Sequence, residues 1–318
     1  MKLRALSIFI AASLLTLKAY GIPINMQFVS NYQQGSIMSL NVDQDTGQYW
    51  ERRGFDGQTF FNVYSNYNDF ANRNAAFGYS LNDPGYRGSY AAVRDGQIFG
   101  RLNRMDQQYG RWDIGTGQLT ATTTLTNFNP QNGSGTFNWG GYSGLNTFNN
   151  GAQTYVVGAQ TGTTDWRVEL IDQNLNTNFV GNITPGMDPF SQQTFGFGFL
   201  IGRYLFMGNS FNSGQISTRF NVLTGMQEDV DFQLTGFNSS LFLNNMVYDQ
   251  VSDRLVVWNN SGRSYWSLNN AAEAFGVDPT VITVPEPGPL SLMLIGALAL
   301  AGVKMQQRRK PEPATSSA

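Results

Sequence analysis

QIFGRLNRMDQQYGRWDIGTG, residues 97–117, holds the unit whose reading decides the fold. Gln97-Ile98-Phe99 is a short β-branched and aromatic run, the composition of a strand on a half-buried sheet. Trp112-Asp113-Ile114 has an aromatic, any residue, and an aliphatic; side chains alternate across a strand, so Trp112 and Ile114 share one face. Between the two, Tyr109-Gly110 predicts a tight turn that uses the positive φ open to glycine, and Thr116-Gly117 predicts another after the marker. Nowhere between residues 22 and 284 do apolar residues keep the i, i+3, i+4, i+7 spacing of a helix for long. The body is therefore expected to be all-β.

The marker recurs as Phe61-Asn62-Val63, Trp112-Asp113-Ile114, Trp166-Arg167-Val168, Phe220-Asn221-Val222 and Trp266-Ser267-Leu268, at intervals of 51, 54, 54 and 46 residues. Each follows a glycine-bearing turn, at Asp56-Gly57, Tyr109-Gly110, Thr161-Gly162, Ser213-Gly214 and Ser261-Gly262. Each turn follows a further strand-like run: Gln48-Tyr49-Trp50, Gln97-Ile98-Phe99, Tyr155-Val156-Val157, Tyr204-Leu205-Phe206 and Leu255-Val256-Val257. Thr224-Gly225 repeats the turn of Thr116-Gly117. A repeat of about 50 residues with several short strands is what a four-stranded propeller blade requires. The spacing and the Thr-Gly turns resemble the β-propeller superfamily, with no Trp-Asp or kelch signature to name a subfamily. Hairpins of a β-sandwich or β-solenoid also yield such triplets.

The expectation is a five-bladed propeller over residues 22–283, with blades near 35–80, 86–130, 139–185, 194–238 and 241–283. Ile24 to Val29 has no partner in the first unit and Val277 to Val284 is strand-like; these ends are expected to meet and close the ring.

Missing residue types exclude much chemistry. The chain has neither cysteine nor histidine, which removes disulfides, thiolate nucleophiles, Ser-His or Cys-His catalysis and ordinary zinc or haem sites. Residues 22–284 hold 13 arginines, no lysine and 20 acids, a surplus of seven negative charges. The lack of lysine there excludes Schiff-base chemistry and a P-loop, and the negative balance excludes a nucleic-acid partner, which needs a basic face. No cofactor or metal is expected.

Both ends carry export signals. Lys2 and Arg4, the apolar run Ala5 to Leu17, and Ala19 and Gly21 at the −3 and −1 positions form a secretory leader over residues 1–21, expected to be a helix removed by cleavage before Ile22. At the other end, Val284-Pro285-Glu286-Pro287, the apolar run Leu290 to Val303 and Arg308-Arg309-Lys310 resemble the PEP-CTERM sorting signal, also known as the ice-binding protein C-terminal domain. The likeness covers residues 284–310, ahead of a polar tail at 311–318. It departs from the family at Gly288-Pro289, where Ser, Thr or Ala is frequent. The apolar run has 14 residues, a helix of about 21 Å against a bilayer core of about 30 Å. It is expected to form a short transmembrane helix and insert transiently in a bacterial inner membrane, with Lys304 and the three later cations on the cytoplasmic side. An ordinary single-pass anchor is the alternative. Pro285 and Pro287 keep the preceding segment extended and open to a cutting enzyme. The resemblance implies processing near Pro285-Glu286-Pro287 by an exosortase, and substrates that are surface or exopolysaccharide-associated proteins of Gram-negative bacteria. The expected role is a non-enzymatic surface or extracellular-matrix protein, with polysaccharide or another surface protein as its partner.

In the body, Asp45-Thr46-Gly47 matches the aspartic-protease tripeptide, but it lacks the flanking residues of that family and the second carboxylate that the mechanism needs, so it reads as a hairpin turn. Asp43, Asp45 and Gly47 open like a calcium loop, yet position 54 is Gly where the closing Glu belongs. Glu228, Asp229 and Asp231 read as a solvated turn. A five-bladed ring resembles the scaffold of arabinanases and fructan-cleaving enzymes, which makes Asp43, Asp95 and Asp249 candidates for a carboxylate-dependent hydrolase or lyase, although an Asp at a strand end is usually a turn residue. Thr120-Ala121-Thr122-Thr123-Thr124 is the one threonine-rich stretch, too short for an ice-binding ladder.

Overall fold

A computed structural model describes residues 21–32, 37–53, 60–81, 91–102, 107–128, 145–151, 153–160, 163, 165–184, 197–208, 213–238, 241, 243–259 and 262–280. All belong to a compact unit of residues 1–281. The leader helix, the 290–303 helix and the sorting residues at 284–310 lie outside the described residues. Within those residues no helix is long and apolar enough to cross a membrane.

An N-terminal strap comes first, made of β1 (Ile22–Asn25) and β2 (Gln27–Asn31). Blade 1 has β3 (Ile37–Val42), β4 (Tyr49–Arg53), β5 (Phe60–Tyr64) and β6 (Phe77–Ser80), with α1 (Tyr67–Ala71) between the last two. Blade 2 has β7 (Ala92–Arg94), β8 (Gln97–Arg101), β9 (Gln108–Asp113) and β10 (Leu119–Thr124). Blade 3 has β11 (Leu145–Asn149), β12 (Thr154–Ala159), β13 (Trp166–Ile171) and β14 (Thr177–Ile183). Blade 4 has β15 (Phe197–Ile201), β16 (Tyr204–Gly208), β17 (Gln215–Asn221) and β18 (Met226–Thr235). Blade 5 has β19 (Leu243–Asp249), β20 (Arg254–Asn259) and β21 (Ser264–Asn269), followed by α2 (Ala271–Ala274). Strands within a blade pair antiparallel in chain order. The first strands stand side by side around an axis, β3 by β7, β7 by β11, β11 by β15, β15 by β19, and β19 by β3. The chain is a five-bladed β-propeller.

The apolar doublets in the second strands explain why the blades face one another. Consecutive side chains of a strand point to opposite faces, and a blade is covered on both. Tyr49 enters the core between blades 5 and 1 while Trp50 enters the one between blades 1 and 2. Ile98 and Phe99, Val156 and Val157, Leu205 and Phe206, and Val256 and Val257 divide in the same way between the cores on either side. The five markers lie on the third strands, and Phe61, Trp112, Trp166, Phe220 and Trp266 are all buried. Each such ring contributes about 1.5–3 kcal/mol by leaving water.

Ring closure differs from the expectation. Among the described residues the N-terminal strap does the closing: β2 is the fourth strand of blade 5, antiparallel to β21, and β1 adds a fifth strand to blade 4, parallel to β18. Val277–Thr280 form no strand, and the rest of the expected partner lies outside the described residues. Asn270, in the left-handed region with φ 49°, turns the chain out of β21 into α2. Gly276 (φ 63°) then ends that helix, and the Val277 N–H donates to the Ala272 carbonyl at 2.9 Å.

The expected turns divide. Gly117, Gly214 and Gly225 have φ of 70°, 64° and 70°. Gly110 is instead a strand residue opposite Gly100, where a Cβ would lie 2.8 Å from Leu119 Cδ1. There the glycine admits a neighbour's side chain, and the hairpin closes farther out, where Leu102 N–H donates to the Gln108 carbonyl. At the fifth turn the positive φ falls on Arg263 (45°). Asp56-Gly57 and Thr161-Gly162 lie outside the described residues.

Candidate functional site

The five first strands enclose an axial cavity of about 380 Å³ including its mouth, lined by residues 40–42, Gln44, 91–92, 147–149, 199–200 and 246–248. None of these lining residues is charged; the polar ones are Asn41, Gln44, Thr147, Asn149 and the phenol of Tyr248.

Most of those polar groups hold neighbouring blades together. Asn41 Oδ1 accepts from the Ala91 N–H of blade 2 at 3.1 Å, and Asn149 Nδ2 donates to the Val93 carbonyl at 3.0 Å. Beside the cavity, Asn150 Nδ2 donates to the Gly202 carbonyl of blade 4 at 2.9 Å. Gln44 donates to the Tyr248 carbonyl and accepts from the Gln250 N–H, joining blade 1 to blade 5. Thr147 Oγ1 shares a 2.9 Å hydrogen bond with the Tyr109 hydroxyl. Neutral amides suit this place, because each has a donor and an acceptor for a neighbouring main chain without the desolvation cost of a buried charge. At one end of the axis Gln250 Nε2 donates to the Gln44 carbonyl, and Gly151 (φ 87°) of blade 3 presses on the same amide: a Cβ there would lie 2.7 Å from Gln250 Nε2.

Of the candidate aspartates, Asp43 and Asp95 sit between first and second strands and Asp249 ends β19, and none of them is among the residues that line the cavity. Asp43 Oδ1 accepts from the Asp45 N–H at 3.0 Å, and Gly47 N–H donates to the Asp43 carbonyl at 2.8 Å, so Asp45-Thr46-Gly47 is a hairpin turn. Asp95 (φ 52°) and Gly96 (φ 68°) form a two-residue turn with both central residues left-handed, the arrangement that Asp-Gly favours. Asp249 is buried; its Oδ1 accepts from the Val251 and Ser252 N–H groups, and its Oδ2 from the Ser252 hydroxyl at 2.6 Å and the Tyr49 hydroxyl at 2.8 Å. Burial pushes the Asp45 carboxyl up, opposed by the Asp95 N–H that donates to it and assisted by the Asp43 and Asp95 charges. Glu228, Asp229 and Asp231 are not a turn, because they lie within β18. Among the described residues no group of three or more acids converges as a metal site would require.

One ionic cluster escaped the sequence reading. Glu51 is fully buried between blades 5 and 1, where it accepts from Arg73 Nη2 at 2.8 Å on both oxygens, Tyr64 Oη at 3.0 Å, Tyr265 Oη at 2.7 Å and Asn62 Nδ2 at 3.2 Å. Burial, with the Glu51 charge second, pushes the Tyr64 phenol up to about 12 and the Tyr265 phenol well above its ordinary range. The hydrogen bonds from Tyr265 and Tyr64 to one carboxylate join blade 5 to blade 1, so the cluster helps to build the ring.

No family model matches the chain. No curated protein matches it either. Among solved structures, glutaminyl cyclase from Myxococcus xanthus is similar at 11% identity and a TM-score of 0.46, over 78% of this chain and 97% of that one. The β-propeller domain of Cps50 (Swd1) from Myceliophteria thermophila is similar at 6% identity and a TM-score of 0.42, over 75% and 85%. KlHsv2 with its loop 6CD replaced by a Gly-Ser linker is similar at 12% identity and a TM-score of 0.37, over 74% and 63%. These likenesses say nothing about what the chain binds.

Proposed function

We propose that this chain is an exported, non-enzymatic propeller, sorted through a PEP-CTERM and exosortase route to the cell surface or extracellular matrix, where it binds polysaccharide or another surface protein. The observation that favours a non-enzymatic role is the lining of the axial cavity, which among the described residues has no carboxylate and whose amides are mostly engaged between blades. Glycoside hydrolysis needs two carboxyl groups about 5 to 10 Å apart around the substrate, and that lining supplies neither. The sorting route rests on Val284-Pro285-Glu286-Pro287, the apolar run after it and Arg308-Arg309-Lys310, together with the leader that ends in Ala19 and Gly21.

The test is intact-mass measurement of the protein recovered from its native surface, paired with retention of the purified body on the host's exopolysaccharide. The expected result is a chain that has lost the leader and been cut near Pro285-Glu286-Pro287, that stays on the polymer and releases no sugar from it. Recovery of the uncut chain from the cytoplasm would overturn the sorting, and release of reducing ends would overturn the non-enzymatic role.

A further inference from the structure

Strand β1 runs parallel to the end of β18, with Ile22 opposite Phe232 and Asn25 opposite Thr235. Parallel register places Gly21 level with Asp231, and the two touch: a Cβ on Gly21 would lie 2.4 Å from Asp231 Oδ1 and 3.1 Å from the Asp231 carbonyl oxygen. Gln215 Nε2 donates to the same carboxylate oxygen at 3.2 Å and holds it against the backbone. Among the described residues no arginine pairs with Asp231. Glu228, farther along the strand, already has Arg219.

The Gly21–Ile22 peptide bond at this contact is the bond that the leader reading assigns to cleavage. Hydrolysis adds water across it: the new carboxylate leaves with Gly21, and the nitrogen of Ile22 becomes an α-ammonium. One neutral N–H is thereby replaced by a cation with three donors. We infer that this ammonium pairs with Asp231, so that removal of the leader creates the ion pair that pins β1 to blade 4. The pin has a place to act. Ile24 is the one residue of β1 buried in the core, whereas Ile22 is 60% exposed, and the exposed end of a terminal strand frays. The inference rests on the signal-peptide reading for its biological meaning, but the pairing itself can be tested apart from it.

Residues 22–284 contain no lysine, so the only other amines of the processed chain are Lys304 and Lys310 in the tail, and the N-terminal peptide separates them from the terminal amine. The probe is acetic anhydride, with the labelled N-terminal peptide followed by mass spectrometry as a function of pH. The protein is the chain beginning at Ile22 and otherwise complete. Its amine is expected to titrate above the free α-amino range of about 7.7–8.0, and at pH 8 to react roughly two- to fivefold more slowly than in Asp231→Asn, the range that an exposed ion pair supplies. Asp231→Glu, which keeps the charge, is expected to restore part of the protection. Equal titration in the wild type and Asp231→Asn would overturn the pairing. A natural mature terminus other than Ile22 would overturn its link to processing, whatever the titration shows.

Discussion

Glu51 accepts hydrogen bonds from Arg73, Tyr64, Asn62 and Tyr265, which belong to two different blades. A carboxylate taken out of water loses several kcal/mol of hydration, and here the Arg73 guanidinium and the neutral donors Tyr64, Tyr265 and Asn62 help to offset the loss. Arg73 reaches it from a left-handed backbone position (φ 62°) just after α1, and its guanidinium also lies over the rings of Tyr64, Phe70 and Tyr265 at 5.2–5.5 Å. Removing the carboxylate leaves a part-buried cation and two phenols without an acceptor. Glu51→Ala is therefore expected to cost about 3–5 kcal/mol in urea unfolding, and Tyr265→Phe, which removes one donor to a charged acceptor, about 1.5–3 kcal/mol. A loss below about 1 kcal/mol for Glu51→Ala would mean that the seam does not depend on the cluster. None of this was legible in the sequence. Gln48-Tyr49-Trp50 marked a strand, but no spacing rule relates the acid that follows it to a tyrosine 214 positions away. The Asp residues at strand ends were easier to read, because an aspartate that bonds the N–H two residues on is a local device with a local signature.

Strand β18 shows the same contrast one scale up. Its acids suggested a turn, yet Val230, Phe232 and Leu234 alternate with polar residues at the period of a strand, and Phe232 and Leu234 are buried in the largest core. The alternation is the stronger signal of the two, because it has the period of a strand. Only Phe232–Thr235 pair with β1, so Met226–Asp231 form an open sheet edge on that side among the described residues. Charged side chains on an open edge keep other chains from adding to it. The double variant Glu228→Thr/Asp229→Thr is expected to fold, since both side chains are exposed, and to self-associate with rising concentration in light scattering. A variant as monomeric as the parent would show that the acids do not guard the edge. By contrast, the second-strand doublets and third-strand markers were legible because each blade repeats them. Ring closure was half legible: the unpartnered N-terminal run was visible, but its partners were not, since parallel pairing to β18 and antiparallel pairing to β21 leave no mark on either sequence.

For the whole molecule, the buried phenols tie the integrity of the ring to alkaline pH. Tyr49, Tyr64, Tyr155, Tyr248 and Tyr265 all hold their protons more tightly than an ordinary tyrosine. Burial is the largest cause in each; Asp249 adds to it at Tyr49, Glu51 at Tyr64 and Tyr265, and Asp253 at Tyr248. Tyr49, Tyr64 and Tyr265 lie in the core between blades 5 and 1, the seam where the last blade of the chain meets the first. Below about pH 10 these phenols are protonated in the folded and unfolded chains alike, and they add no pH dependence. Above that the unfolded chain releases protons that the folded chain keeps, so stability falls as pH rises, through the value of about 12 for Tyr64. Absorbance at 295 nm is expected to show two classes of tyrosine, the exposed class ionising near pH 10 and the buried class ionising only together with loss of the near-ultraviolet circular dichroism. Tyr49→Phe and Tyr265→Phe each remove one retained proton, and each is expected to make the fall of stability between pH 10 and 12 less steep, even though each lowers stability at pH 7. Tyrosines that all ionise reversibly near pH 10, with the dichroism intact, would show that these phenols reach water without the blades coming apart. In that case the seam between blades 5 and 1 would be held by its apolar rings, the Gln44 hydrogen bonds to blade 5 and the N-terminal strap.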